Sequence, residues 1–314
     1  MLGRLSIPCG KACKSEDVDA YKHWLEKFRL MTFIFVRFEM QESSGRNMGE
    51  EELIVLRETG GRVYAFSKSG GERRIRGVGR IDPSIVIGDL KIGESIKIGT
   101  KSFIRLSPGL PELRTAMKRR AQVITPKDAG FMIAWMGIGQ NDRVLEAGFG
   151  SGGLAMHIAR SLGPGGTLIS IERREEHASV GTENMLRCAE AFPGMPTWTL
   201  LERDIVGSTE DISELVDELD AVILDMPEPW TAIPEMSNLL RLGGRIACYC
   251  PSPEQMAKSW ESLEKSGLNV EWGGELMERR WTLTKRGGVR PGNTPIGHTA
   301  LLIIAVKTPN EEEE

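Results

Sequence analysis

The rhythm of hydrophobic and polar positions changes twice along the chain. Over residues 1–47 apolar and charged side chains are scattered with no steady period. From Glu51 to Phe66 the apolar residues Leu53, Val55, Val63 and Ala65 alternate on either side of Gly60-Gly61, which predicts two strands and a tight turn. Short runs at Ser84–Ile87 and Ser95–Ile98 follow, broken by Gly and Asp. This pattern predicts a small antiparallel β domain over residues 48–110. Residues 1–47 are then an extension without catalytic role, upstream of an alternative start at Met48. Ser107–Pro111 reads as a linker, and Leu113–Lys127 as a basic stretch without acids. Thr125-Pro126-Lys127-Asp128 is a helix start, with Thr125 as N-cap, Pro126 at the first helical position and Asp128 at the third. That helix should run to about Ile138.

From Asp142 strand and helix alternate. Strands are predicted at Arg143–Ala147, Thr167–Ile171, Trp198–Leu201, Ala221–Leu224 and Arg245–Tyr249. Helices are predicted up to Leu162, over about Glu175–Glu190, and near Ile212–Glu218, Ile233–Leu240 and Glu254–Lys265. Such alternation calls for a parallel, doubly wound sheet. Two last strands, about Val270–Leu283 and Thr299–Val306, fit an antiparallel edge pair. The α/β domain so defined covers residues 111–308, and residues 309–314 form a solvated acidic tail.

Composition narrows the class. The 314 residues carry 40 Lys and Arg against 44 Asp and Glu, a net charge of −4, which excludes nucleic-acid binding by bulk charge. Any basic face must be local. No apolar run reaches membrane-spanning length, since the stretch at Leu30–Val36 stops at Arg37, and the N-terminus lacks a secretory pattern. Five cysteines without a paired C-x-x-C set point to the reducing cytoplasm. Cys248 and Cys250 read as small core residues of a strand, and no metal site is expected.

The chemistry begins at Gly148-Phe149-Gly150-Ser151-Gly152-Gly153, between the first strand and helix of the alternating region. Glycines there let backbone approach a ligand closely. Glu172 follows at the tip of the second strand, where a carboxylate accepts hydrogen bonds from ribose hydroxyls. These two features alone also fit a nicotinamide-dependent oxidoreductase. Glu146, just before the glycines, would repel a pyrophosphate and suits a cationic ligand. Asp204, after the third strand, offers an acceptor for an adenine amino group. Acids in this order read as a site for S-adenosyl-L-methionine, which carries ribose, adenine, an ammonium and a sulfonium but no phosphate. The fourth strand delivers Asp225-Met226-Pro227-Glu228-Pro229-Trp230; the prolines stiffen the presentation of Asp225, and Trp230 offers a flat face.

The runs Val144–Leu154 and Ile171–Ala178, the Asp225–Trp230 hexapeptide and Gly297-His298-Thr299-Ala300 resemble the tRNA (adenine-N1)-methyltransferases that modify position 58 of the T-loop, of the homotetrameric archaeal and bacterial type. Arg119–Ile124 followed by Pro126–Ala129 is similar to the segment joining that family's two domains. The resemblance spans about Glu50 to Lys307. It implies a Rossmann-like class I S-adenosylmethionine methyltransferase domain with a small N-terminal β domain. It implies tRNA as acceptor, with position 57 a further candidate, and a homotetramer in the cytoplasm. It implies that Asp225 is the catalytic carboxylate. Glu146, Gly148, Gly150, Ser151, Gly152, Gly153, Leu154, Glu172, His177, Asp204 and Asp225 would line the cofactor site. Gln122, Trp230, Arg290 and His298 would face the substrate. The departure is Thr125, where relatives carry an aromatic residue or His near the target base.

The chemistry accords with that role. Adenine N1 is a ring nucleophile, so the protein's task is alignment and exclusion of water. Positive charge spreads to the exocyclic amine as N1 takes the methyl group, and a fixed carboxylate beside that amine steadies it. N1 normally lies inside a base pair, so the nucleotide must be exposed. The basic stretch Arg114–Lys127 and the loop Lys285–Arg290 are placed to hold phosphates. The alternatives are another class I methyltransferase with a different substrate, a nicotinamide-dependent oxidoreductase, an exocyclic-amine DNA methyltransferase and a non-catalytic RNA-binding subunit. The DNA enzymes would carry Asn/Asp-Pro-Pro-aromatic, whereas Met226 and Glu228 interrupt the prolines here. An inactive subunit would be expected to lose the glycine loop or the strand-four carboxylate, and both are present.

Overall fold

The computed structural model describes residues 53–68, 71–284, 287–292 and 295–309 and, by backbone alone, strand β1 (Phe35–Phe38). Most of the predicted extension, Cys9 and Cys13, the basic pair Lys285-Arg286 and most of the acidic tail lie outside the described residues. The chain divides into two compact units, one over described residues 53–107, the other comprising β1 and residues 108–309.

In the first unit β2 (Leu53–Glu58) and β3 (Val63–Ser67) pair antiparallel about Gly60-Gly61, as the alternation predicted. Beside β2 lies β7 (Lys101–Leu106), and beside β7 lies β6 (Ser95–Ile98). A separate hairpin joins β4 (Arg73–Ile75) to β5 (Gly79–Ile81). Ile54, Leu56, Phe66, Ile87 and Phe103 form the core. The run at Ser84–Ile87 is not extended: α1 (Pro83–Val86) is a helical turn. The Asp82 carboxylate accepts the Ser84 N–H at 3.0 Å and Pro83 sits in the first turn, so capping chemistry prevails over the apolar pattern.

The second unit opens with α2 (Leu110–Ala116), a helix in the region read as linker and basic stretch, and α3 (Pro126–Met136). Gly137, at φ 72°, ends α3 two residues before the predicted stop. Thr125 is its N-cap residue by position, but its hydroxyl donates to Asp128 Oδ2 at 2.8 Å instead of accepting a backbone N–H.

The sheet strands that follow are β8 (Arg143–Ala147), β9 (Thr167–Ile171), β10 (Thr197–Leu201), β11 (Leu219–Leu224), β12 (Leu240–Cys250), β13 (Leu268–Gly274) and β16 (Leu301–Lys307). The intervening helices are α4 (Gly153–Leu162), α5 (Glu175–Ala191), α6 (Thr209–Ser213), α7 (Ile233–Leu239) and α8 (Pro253–Lys265). The sheet has eight strands in the order β1-β10-β9-β8-β11-β12-β16-β13. Strands β10 to β12 are parallel, and β1, β16 and β13 each run antiparallel to their neighbours. Leu145, Ile169, Val222, Ile246 and Ile303 are fully buried, as a sheet covered on both faces requires. Burying each such side chain stabilises the fold by about 1.5–3 kcal/mol. Cys248 and Cys250 are buried in β12, as their alternation suggested.

Two differences from the pattern have local causes. The predicted strand Val270–Leu283 breaks, because β16 begins at Leu301 and the pair Gly274↔Leu302 is the end of the ladder. Beyond it β14 (Trp281–Leu283) pairs with β15 (Val289–Pro291) as a separate hairpin. In the aperiodic N-terminal region β1 pairs with β10, Phe35 opposite Leu201 and Phe38 opposite Trp198. Among the described residues no helix is long and apolar enough to cross a membrane.

The chain builds β8, β9 and β10 in one direction and then crosses to β11 on the other side of β8. The carboxyl ends of β8 and β11 therefore flank the point where strand order reverses, which is where such sheets hold ligands.

Candidate active site

The glycine loop leaves β8 and the acidic segment leaves β11, and the two are fastened together. The Asp225 N–H donates to the Ala147 carbonyl at 2.8 Å. Gly148 has φ 89°, and a Cβ on it would stand 1.8 Å from the Asp225 carbonyl oxygen. No other residue fits there, so the glycine sets how closely Asp225 approaches the loop.

A strap, residues 118–124, crosses the loop on its other side. The Ser151 hydroxyl accepts the N–H groups of Arg120 and Ala121, both at 3.1 Å. Asn184, buried in the middle of α5, donates to the carbonyls of Lys118 at 2.8 Å and Ser151 at 2.9 Å and accepts the Lys118 N–H at 3.0 Å. A Cβ on Gly153 would meet Val123 Cγ1 at 2.2 Å. The strap, the loop and the end of β11 enclose a pocket lined by Gln122, Val123, Ile124, Glu146, Gly148, Phe149, Ser151, Leu154 and Asp225, among others.

Three carboxylates converge on this region. Glu146 is 2% exposed and accepts the Ser170 hydroxyl at 2.7 Å; Ser170 in turn accepts the Trp198 indole N–H at 3.0 Å. Burial pushes Glu146 up to about 8 against the opposing Ser170 bond, with Asp225 adding to the rise. Asp225 is pushed up to about 7, by burial first and then by the negative charge of Glu172, with Arg174 opposing. Glu172 is buried as well, which raises it, but bonds from the Arg174 side chain and from the Gly150 and Arg174 N–H groups outweigh burial and hold it below its ordinary value. Two of the three acids thus resist ionisation in the ligand-free protein. A ligand bringing positive charge reverses that penalty, whereas a pyrophosphate deepens it. The glycine loop and these desolvated carboxyl groups, which a positive charge would ionise, fit S-adenosylmethionine.

The predicted residues divide by position. Glu146, Gly148, Ser151, Gly153, Leu154, Asp225 and Gln122 line the pocket, with the Ser151 hydroxyl spent on the strap. Glu172 reaches the loop through the Gly150 N–H at 2.9 Å, and Gly152 is the N-cap of α4. His177, implied to line the cofactor site, is not part of the pocket's lining; it is buried in the first turn of α5, and its Nδ1 has no partner among the described residues. Asp204 is half exposed; it accepts the Val206 N–H at 3.1 Å and lies 3.7 Å from Arg173. Trp230, Arg290 and His298 do not line the pocket. Trp230 packs under Lys258, whose ammonium lies 4.9 Å from the ring centre. Arg290 stands exposed opposite Thr282 in the β14–β15 hairpin. The His298 ring contacts Glu275 at 2.9 Å and the Pro251 carbonyl at 3.2 Å.

Sequence reasoning missed Asn184 and the role of Asp128. The latter is fully buried and gathers the hydroxyls of Thr125 and Thr299, both at 2.8 Å, the Lys127 ammonium at 2.6 Å and the Tyr249 hydroxyl at 3.4 Å. It ties the start of α3 to the end of β12 and the start of β16. The Thr-x-x-Asp spacing was the available signal, read there only as a helix start.

Known proteins share this architecture. The family described as tRNA methyltransferase complex GCD14 subunit matches residues 102–288. The tRNA (adenine(57)-N(1)/adenine(58)-N(1))-methyltransferase TrmI of Methanocaldococcus jannaschii is 32% identical over 233 residues, 68% of this chain and 82% of that protein. The crystal structure of a SAM-dependent O-methyltransferase from Thermotoga maritima matches with a TM-score of 0.67 at 28% identity, covering 84% of this chain and 95% of that one. The tRNA (m1A58) methyltransferase TrmI of Aquifex aeolicus matches in fold with a TM-score of 0.61 at 21% identity, covering 84% of this chain and all of that one.

Proposed function

Because the chain belongs to the GCD14 family of tRNA methyltransferase complex subunits, we propose that it methylates N1 of adenine 58 in the tRNA T-loop. The observation that carries this reading is the convergence of Glu146, Glu172 and Asp225 on the glycine loop, where a Cβ on Gly148 would collide with the Asp225 carbonyl. S-adenosylmethionine, when bound, supplies an electrophilic methyl carbon whose bond to sulfur breaks with the electron pair left on sulfur.

The remaining work belongs to this chain's residues. Gly148, Gly150, Gly152 and Gly153 let backbone close on the donor. Glu146, Glu172 and Asp204 offer acceptors to its ammonium, ribose and adenine groups, and His177 closes the same side. Val123, Phe149 and Leu154 keep water from the reacting centre. Asp225 accepts a hydrogen bond from the exocyclic amine of the target adenine and takes up the proton that amine sheds as N1 becomes alkylated. Burial holds it up to about 7 in the free protein, and the positive charge of the bound donor keeps it ionised, and so able to accept, at neutral pH. Gln122, Trp230, Arg290 and His298 remain candidates for contact with the RNA outside the pocket.

On this reading residues 111–308 are the methyltransferase domain, residues 48–110 a smaller β domain, and the working form is a cytoplasmic homotetramer. Light scattering at the mass of four chains supports that assembly, and the mass of one chain or two overturns it. A second reading, methylation of a different acceptor, is favoured by the likeness to the Thermotoga maritima enzyme. One experiment separates the two. The full chain is incubated with an unmodified tRNA transcript and methyl-labelled donor, and the nucleosides are mapped. Label in N1-methyladenosine at position 58 supports the proposal; label elsewhere, or none, overturns it.

A further inference from the structure

The acceptor sites of Glu172 are already taken in the ligand-free protein. A carboxylate has two oxygens with about four lone-pair sites between them. Oε1 accepts the Arg174 backbone N–H at 3.1 Å and the Arg174 Nε at 3.0 Å. Oε2 accepts the Gly150 N–H at 2.9 Å and, more weakly, the Arg174 Nη2 at 3.5 Å. The two backbone bonds belong to the fold, since one ties the carboxylate to the glycine loop and the other to the N-cap residue of α5. The two side-chain bonds come from a single guanidinium laid along the carboxylate as a fork.

A ribose brings two adjacent hydroxyls, and each needs an acceptor. The Glu172 side chain is 2% exposed and anchored, whereas that of Arg174 is 50% exposed and free to swing outward. The sites that can be vacated without undoing the fold are therefore the two held by the guanidinium. The fork also keeps the free protein in order: burial raises Glu172, and the Arg174 bond leads the contributions that bring it back below its ordinary value. A ligand that evicts the fork must supply hydrogen-bond donors of its own, or the buried carboxylate is left short of partners.

We propose that Arg174 is a positioning residue that occupies the ribose acceptors of Glu172 in the free protein and yields them to the donor, which makes donor binding depend on both ribose hydroxyls. The inference rests on the reading of Glu172 as the ribose acceptor. Arg174 on this account lowers affinity and sharpens specificity. A site whose polar groups must be repaid rejects an analogue that lacks the matching hydroxyl.

The test is calorimetric binding to the full chain at mildly alkaline pH, where loss of Arg174 leaves Glu172 ionised. The ligands are S-adenosylhomocysteine, which lacks the sulfonium charge, and its 2′,3′-dideoxy analogue. Arg174→Ala should bind S-adenosylhomocysteine about three- to ten-fold more tightly than the wild type, the worth of one net hydrogen bond, and should bind the dideoxy analogue as the wild type does. Weaker binding of both ligands, the result of a merely structural role, overturns the proposal. So does an equal gain for both, or no change in either. A crystal structure of the wild-type complex with S-adenosylhomocysteine tests the same point without a variant. Glu172 should accept both hydroxyls with Arg174 Nε beyond hydrogen-bond distance, and a fork still in place overturns the proposal. Glu172→Ala separates the two readings. If it binds S-adenosylhomocysteine as tightly as the wild type, the ribose assignment itself falls; if it binds weakly while Arg174→Ala is unchanged, the role of Arg174 alone falls.

Discussion

The unfavourable ionisation of Asp225 makes donor binding depend on pH in a calculable way. In the free protein its carboxyl titrates at about 7, because burial and the charge of Glu172 both disfavour the anion. An opposite charge within about 4–6 Å lowers such a value by about 1–3 units. If the bound donor brings the carboxyl down from about 7 to about 5, the apparent affinity for S-adenosylmethionine should fall roughly twenty-fold between pH 7.5 and pH 5.5. The sign is fixed: below 7 the free protein must lose a proton to bind, so binding weakens as acid is added. Stability follows the same linkage. A carboxyl whose folded value lies above its unfolded value becomes a destabilising influence as pH climbs from about 4 to about 7. The donor removes that influence, so its stabilisation of the fold should be larger at pH 7.5 than at pH 5.5. Calorimetric titrations across this range, on the wild type and on Asp225→Asn, measure both effects. A wild-type affinity that changes less than three-fold would refute the reasoning. So would an Asn variant that keeps the wild-type pH slope.

Three further outcomes follow from the packing. Gly153→Ala should drive its new carbon into Val123, now 2.2 Å away, and weaken donor binding, and Val123→Ala in the same chain should restore most of the loss. Asn184→Ala should cost on the order of 2–4 kcal/mol in denaturant unfolding, since it strands buried backbone groups of Lys118 and Ser151. Hydrogen exchange at residues 118–123 should quicken with it. Asp128→Ala should cost about 3–5 kcal/mol, because the nearly buried Lys127 ammonium loses its counter-charge; chemical denaturation checks the value.

Much of this fold was legible because its signals are local. The strand–helix alternation after Asp142, the glycine loop and the acids at strand ends all sit where the sequence pattern puts them. What escaped depends on partners far away in sequence. Asn184 looks like any polar residue of a helix, and only the fold brings residues 118 and 151 to its amide. Strand β1 is held by the edge of β10 and not by alternation of its own. The predicted strand through Val270–Leu283 failed because a ladder ends where its neighbour ends, at Leu301. Ser84–Ile87 failed because Asp82-Pro83 caps a helical turn more strongly than two isoleucines and a valine specify a strand.

On the proposed mechanism, methyl transfer turns on Asp225. Single-turnover transfer to an unmodified tRNA transcript, with donor and RNA both saturating, compares the wild type with Asp225→Asn directly. Loss of a fixed charge aimed at a developing cation predicts a rate lower by about 100- to 1000-fold. A variant that transfers within a few-fold of the wild-type rate would contradict it.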